Sequence, residues 1–265
     1  KNHHEVAWRD LVDFSITSIP IITSGRTSRK LLRSEYETIA KKIKSLRIDV
    51  LIMAGGDGSL QFLNTLSEFD INCFGVGMTI DNDVYGSDYT IGFSTACEQI
   101  IKEVSRLRNT GRALPGRVFM VEILGGYCGE LTLQSAIKSN ADIALIPESQ
   151  MPLEALAERV KHKLKQQNSV VILCSEGYTR EYSPGFQGAI DTMIKQLEPQ
   201  IGVRIRKTIV GYGLRSGDPT CEEIYQGTIM ACEVVRCIQS GMKNKAIIIN
   251  SSNKPIPIDL VSMKK

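Results

Sequence analysis

Two short segments carry the residue types that phosphate chemistry needs. Thr79-Ile80-Asp81-Asn82-Asp83 sets two carboxylates two residues apart behind an apolar run at 71–76. Like charges at that spacing repel, so the pair suits a task. One carboxylate accepts a hydroxyl proton while the other orients it or helps hold a metal. An Asx-rich turn of solvated acids would be written with the same letters. Gly55-Gly56-Asp57-Gly58-Ser59 follows the apolar run 50–54 and opens a helical pattern. Its glycines let the backbone approach a phosphate, and the free N–H groups of a helix start favour negative charge. Asp57 offers a hard oxygen to Mg²⁺. A tight strand-to-helix turn without a ligand is the plain alternative.

Four more segments follow an apolar run, open a strand or lead into a helix. They are 90–96, with a Gly bend that a simple N-cap also explains; Gly125-Gly126-Tyr127-Cys128-Gly129; Ser175-Glu176-Gly177; and Arg206 followed by 211–217, which contains Tyr212 and Arg215. Arginines there suit a phosphate clamp, because the guanidinium fork pairs bidentately with oxyanions. Taken singly, each arginine also reads as a surface residue and each Gly-rich piece as a turn.

The elements that position these segments alternate in type. Short apolar runs predict strands at 49–54, 71–76, 117–123, 143–146, 170–174, 208–210 and 246–249. Amphipathic stretches predict helices at 35–46, 60–67, 95–108, 129–139, 152–165, 188–197 and 221–239. Such alternation implies an α/β fold of parallel sheets flanked by helices. In these folds ligands gather outside the carboxyl ends of the strands, so the residues that follow each apolar run are the candidates.

Composition narrows the function classes. The 265 residues carry a formal charge of only +3, with 42% hydrophobic and 23% charged residues. No dense Lys/Arg run marks a nucleic-acid binder. No apolar run spans a bilayer, and the charged stretch 1–10 has no apolar signal-peptide core. Seven cysteines at scattered positions have no zinc-knuckle spacing and read as thiols in a reducing cytoplasm.

The order and spacing of the six segments, from about residue 24 to beyond 241, resemble the 6-phosphofructokinase family. The pairing of 55–59 with 79–83 is the most specific part. Asp88-Tyr89-Thr90-Ile91-Gly92-Phe93, and Tyr127-Cys128-Gly129 followed by Ile146-Pro147-Glu148, strengthen it. The resemblance implies two lobes, each a mostly parallel sheet sandwiched by helices. The larger, nucleotide-binding lobe is expected at 1–92 plus 219–265, and the sugar-phosphate lobe at 93–218. It implies transfer of the ATP γ-phosphoryl group to the 1-hydroxyl of fructose 6-phosphate, with Mg²⁺. Asp81 is then the base and Asp83 its support, with Thr79 and Arg29 at the moving phosphoryl group and Asp57 on the metal. Gly55, Gly56, Gly58 and Ser59 lie along the nucleotide phosphates. Leu124, Gly125, Glu176, Tyr212 and Arg215 meet the sugar phosphate. Arg117 and Arg206 reach the 6-phosphate from a neighbouring subunit, which implies a homo-oligomer, a tetramer. Arg108, Asp142 and Lys165 resemble parts of a second nucleotide site, and Gln167 falls where a lysine is expected.

The sequence also departs from the family. Gly126 replaces an arginine, Gly77-Met78 a Pro-Gly, Phe62 a glycine beside adenine, and Tyr212 a histidine. Glu222-Glu223-Ile224 stands in the region of an expected Asp-Arg, and the family's first Gly-rich strand-loop has no counterpart. Gly58 and Met78 favour ATP over diphosphate, since diphosphate-dependent relatives carry Asp and Lys there. Phe62 suits a diphosphate-dependent enzyme, while Gly126, Met78 and Phe62 together suit a non-catalytic or regulatory subunit. A kinase of NAD or of lipids shares only 55–59.

Overall fold

A computed structural model describes residues 29–182 and 189–263, together with residues 11 and 25. Thr27 and Ser28 of the arginine segment, and Gly188 at the head of one expected helix, lie outside the described residues. The chain forms two compact units. The first comprises residues 1–79, 83–92 and 218–265, and the second residues 80–82 and 93–217.

In the first unit, α1 (Arg33–Ser45), β1 (Leu51–Gly55), α2 (Asp57–Ser67) and β2 (Cys73–Gly77) are followed, at the chain's end, by α7 (Cys221–Gln239), β7 (Lys245–Ile249) and β8 (Pro255–Asp259). The sheet order is β1-β2-β7-β8. β1, β2 and β7 are parallel, and β8 returns antiparallel to β7. β2 is buried throughout and β7 nearly so, as parallel strands covered on both faces should be. One face packs Ala40, Ile43, Leu60, Leu63 and Leu66 of α1 and α2 onto Cys73 and Ala246. Gly75 makes room for that layer, because a Cβ there would collide with Leu60 Cδ2.

The second unit holds α3 (Phe93–Ala113), β3 (Arg117–Ile123), α4 (Glu130–Ser139), β4 (Ile143–Leu145), α5 (Leu153–Gln166), β5 (Ser169–Ser175), α6 (Ala189–Ile201) and β6 (Ile205–Ile209). Its sheet, β4-β5-β3-β6, is parallel throughout. Val118, Met120, Ile172 and Cys174 meet Leu156, Val160, Met193 and Leu197 of α5 and α6 on one face. On the other face α3 crosses close to β5 at Gly111, where a Cβ would strike the Ser169 side chain.

The structure corrects two expected elements, β6 and α3, and adds a strand, β8. β6 runs over Ile205–Ile209 rather than 208–210, because the adjacent charged residues Arg206 and Lys207 interrupt its apolar pattern. β8 is a strand that Pro255 and Pro257 disguise as a turn; proline is tolerated there because β8 is an edge. α3 runs over 21 residues, longer than 95–108.

Candidate active site

In the first unit Thr79, which opens the acidic segment, lies beside the glycine turn 55–59. β1 and β2 end level, with Gly55 in register with Gly77, and the Met78 N–H donates to the Gly55 carbonyl at 2.9 Å. Gly56 is the N-cap of α2 and Asp57 its first residue. The Ser59 N–H donates to the Gly56 carbonyl at 2.9 Å, closing the first turn. A side chain at Gly55 would strike Ser59 Oγ, so that turn excludes a Cβ. A Cβ at Gly56 would sit 3.5 Å from Thr79 Cβ, which places Thr79 against the glycine backbone. The Thr79 carbonyl accepts from the buried Thr90 hydroxyl at 2.7 Å, and the Gly77 carbonyl accepts from the Ile91 N–H at 3.0 Å. Thr90 and Ile91 therefore brace the chain from Gly77 to Thr79 before α3 begins. Glu223 of α7, buried, accepts from the Gly92 N–H. Asp57 and Asp83 are half-buried, and Asn82 takes the left-handed conformation at φ 52°, which asparagine tolerates.

One expected member of the phosphoryl site has a structural partner. Arg29 donates from both Nη atoms to Glu35 at 2.7 Å, and Glu35 also accepts from the Leu32 N–H at 2.7 Å, closing the start of α1. The Arg29 guanidinium, with help from the Leu32 N–H, holds the Glu35 carboxyl down at about 2.

In the second unit, which includes Asp81, the carboxyl ends of β3 and β5 carry the other candidates. Leu124 and Gly125 follow β3, and Glu176 follows β5. Glu176 Oε1 accepts from the N–H groups of Gly125 at 3.3 Å and Gly126 at 2.8 Å. Its own N–H donates to the Ile123 carbonyl at 2.8 Å. Gly177 is closed in, since a Cβ there would strike the Gly126 carbonyl oxygen. Gly126 takes φ 59°, and its Cβ position is open space. Tyr212 and Arg215 stand on the short 3-10 turn Gly211–Arg215, anchored by the buried Leu214, with Tyr212 84% exposed.

Arg117 and Arg206 are not gathered with these. Arg117 opens β3 and Arg206 pairs with Phe119, so both lie toward the amino end of the sheet. Six residues of strand separate Arg117 from Ile123, about 20 Å at the usual rise. Arg206 Nε is buried and has no hydrogen-bond partner among the described residues.

Two features escaped the sequence reading. Glu122, on the face of β3 turned toward α6, is half-buried in an otherwise apolar strand. Burial raises its carboxyl above the ordinary range; the Glu176 and Asp191 charges add to this and Lys207 opposes it. A lone acid in the run Val118 to Ile123 was the available signal. The other is Arg180, whose Cζ lies 3.2 Å from the centroid of the Tyr127 ring. No local spacing links residues so far apart in sequence.

The region compared above with a second nucleotide site is a cavity of about 370 Å³ lined by Arg108, Asp142, Lys163 and Gln167, among others. Lys163, not Lys165, lines it. The Asp142 carboxylate, 5% exposed, pairs with Arg108 at 2.8 Å. It also accepts from Gln167 Nε2 and the Val171 N–H, each at 2.7 Å. Arg108 and Gln167 are thus turned onto an internal acid.

Parallel strands, acids and glycines at their carboxyl ends, and a helix start among them define an α/β phosphate-handling scaffold. Residues 1–238 match the family model described as Phosphofructokinase. The chain belongs to the phosphofructokinase family. It is 32% identical over 248 residues to the ATP-dependent 6-phosphofructokinase of Clostridium botulinum, covering 91% of this chain and 74% of that protein. It is 35% identical over 224 residues to a probable ATP-dependent 6-phosphofructokinase of Mycoplasma pneumoniae, covering 84% and 66%. Phosphofructokinase from Saccharomyces cerevisiae superposes with a TM-score of 0.83 at 25% identity over 97% of this chain, which spans 38% of the yeast chain's length. Among the described residues no helix is long and apolar enough to cross a membrane.

Proposed function

We propose that this chain transfers the γ-phosphoryl group of ATP to the 1-hydroxyl of fructose 6-phosphate. The observation that carries the reading is its 32% identity, over 91% of its length, to a protein described as an ATP-dependent 6-phosphofructokinase. The contact of Gly56 with Thr79 adds local support. It sets Thr79, the first residue of the acidic segment, beside the helix-start glycines, where phosphate oxygens find backbone donors.

Asp81 takes the proton of the attacking hydroxyl, and Asp83 and Thr79 orient the group. Gly55, Gly56, Gly58 and Ser59 follow the nucleotide phosphates, in the unit built on β1, β2 and β7. Leu124, Gly125, Glu176, Tyr212 and Arg215 meet the sugar phosphate in the other unit. Asp57, half-buried at the first residue of α2, offers a single hard carboxylate, and Mg²⁺ is commonly held by one or two carboxylates with substrate phosphates. When bound, Mg²⁺ would neutralise phosphate charge. Arg29 belongs here only if its pair with Glu35 opens.

The place of Arg117 and Arg206 near the amino end of their sheet supports contribution in trans, hence a homotetramer with shared sites. With Arg108 and Gln167 turned onto Asp142, we read no nucleotide effector at that cavity. The free cysteines suit a reducing cytoplasm.

The test is Asp81→Ala. Turnover is expected to fall by at least ~10²-fold, the usual worth of a positioned base. Binding of fructose 6-phosphate, measured by titration calorimetry, is expected to stay near that of the parent. A variant with parental turnover removes Asp81 from the role of base.

A further inference from the structure

We propose that Arg180 supplies the cation that holds a phosphoryl oxyanion over the loop 125–129, an assignment that rests on the phosphotransfer reading above. The loop reads Gly-Gly-Tyr-Cys-Gly and brings no positive side chain of its own. The amide N–H groups of Gly125 and Gly126 both point at Glu176 Oε1. The backbone donors that a glycine loop would offer to a phosphate are therefore turned onto a carboxylate. A dianionic phosphate ester brought here meets negative charge and needs a cation at the loop itself.

Arg180 is the guanidinium in contact with that loop. It stands on the 3-10 turn Tyr178–Tyr182, three residues after Gly177. The turn is pinned on both sides. Tyr178, fully buried, donates from Oη to the Met151 carbonyl at 3.0 Å and accepts from the Met151 N–H at 3.2 Å. The Thr179 hydroxyl donates to the Glu176 carbonyl at 3.0 Å. From this base the guanidinium lies 3.2 Å from the centroid of the Tyr127 ring, the residue next to Gly126. Its Nε and Nη1 are withdrawn from water. A cation stacked on an aromatic ring and partly desolvated is preorganised, so it stabilises an arriving oxyanion with little reorganisation. Above Gly126 there is open space, which leaves room for the anion beside Tyr127.

The test compares the full chain with Arg180→Met and Arg180→Lys, using fructose 6-phosphate and ATP with Mg²⁺. Arg180→Met is expected to lower kcat/KM by ~10²–10³, the usual loss for one preorganised donor. Added guanidinium ion is expected to restore part of the loss in Arg180→Met and nothing in the parent. A rise confined to the KM for fructose 6-phosphate identifies the sugar's own phosphate as the bound anion. A fall in kcat with both KM values kept identifies the moving phosphoryl group. Parental constants in Arg180→Met overturn the proposal. Should that variant not fold, Arg180→Lys decides: a loss of at least tenfold is expected, since a point charge does not reproduce the stacked fork, and parental constants overturn the proposal. A parent that turns over while Arg180 is dispensable sinks this assignment alone. A parent that binds no fructose 6-phosphate sinks the phosphotransfer reading and this assignment with it.

Discussion

Glu122 and Asp142 show how differently two inward-facing acids behave. Burial and the charges of Glu176 and Asp191 push the Glu122 carboxyl up, against Lys207. The folded state therefore holds its proton to a higher pH than the unfolded chain, whose glutamates titrate near about 4.3. Between those two values the native state binds more protons, so stability falls as pH rises. Glu122→Gln is expected to melt at a higher temperature than the parent at pH 7, with the difference vanishing near pH 4; equal melting curves at pH 7 would contradict this. Asp142, by contrast, is satisfied by Arg108, Gln167 and the Val171 N–H. Asp142→Asn leaves Arg108 without its charge partner and is expected to cost about 2 kcal/mol in denaturant unfolding. A loss under about 0.5 kcal/mol would mean that the network is slack.

At this scale the sequence was most informative where backbone sterics and charge act locally. Gly55 stands where a Cβ would strike Ser59. The spacing of Asp81 and Asp83 needed no fold to be noticed. Glu122, Arg180 and the Arg29 pair depend on who packs beside them, and that information lies far away in the chain or in a single rotamer.

Among the elements, close approach decides which substitutions matter. Gly111 lets α3 lie on β5, where a side chain would strike Ser169. Gly111→Val is expected to destabilise by about 1–3 kcal/mol through overpacking and lost helix propensity. An unchanged denaturation midpoint would show that the α3–β5 contact can open at no cost. The buried strands were legible because they are continuous apolar runs: β3 is found where expected, at Arg117–Ile123. Two of the four edge strands were not. β6 mixes charges into its pattern and β8 carries two prolines, both permitted because an edge has a free side.

At the scale of the whole molecule, Arg117 and Arg206 supply the boldest expectation. They sit toward the amino end of their sheet, while Glu176 and Gly125 sit at the carboxyl end. If they serve a neighbour's sugar phosphate, Arg206→Ala raises the KM for fructose 6-phosphate more than that for ATP. Mixed oligomers of Arg206→Ala and Asp81→Ala subunits would then regain activity, since some sites combine an intact Asp81 with an intact Arg206. Absence of recovery after verified subunit exchange would place both residues in a site of one chain. The parallel sheets were foreseeable from alternation alone, whereas two lobes were expected only through the family resemblance, because division into units reflects long-range contacts.

The central claim is that the acids and glycines at the ends of β1 and β2 serve ATP-driven phosphorylation of a sugar phosphate. Its most direct test is a coupled assay of fructose 1,6-bisphosphate formation from fructose 6-phosphate and Mg²⁺, with ATP or diphosphate as donor. Turnover with ATP, and little or none with diphosphate, is the predicted result. Turnover only with diphosphate would contradict the donor, and turnover with neither would leave a chain that keeps the fold without the chemistry.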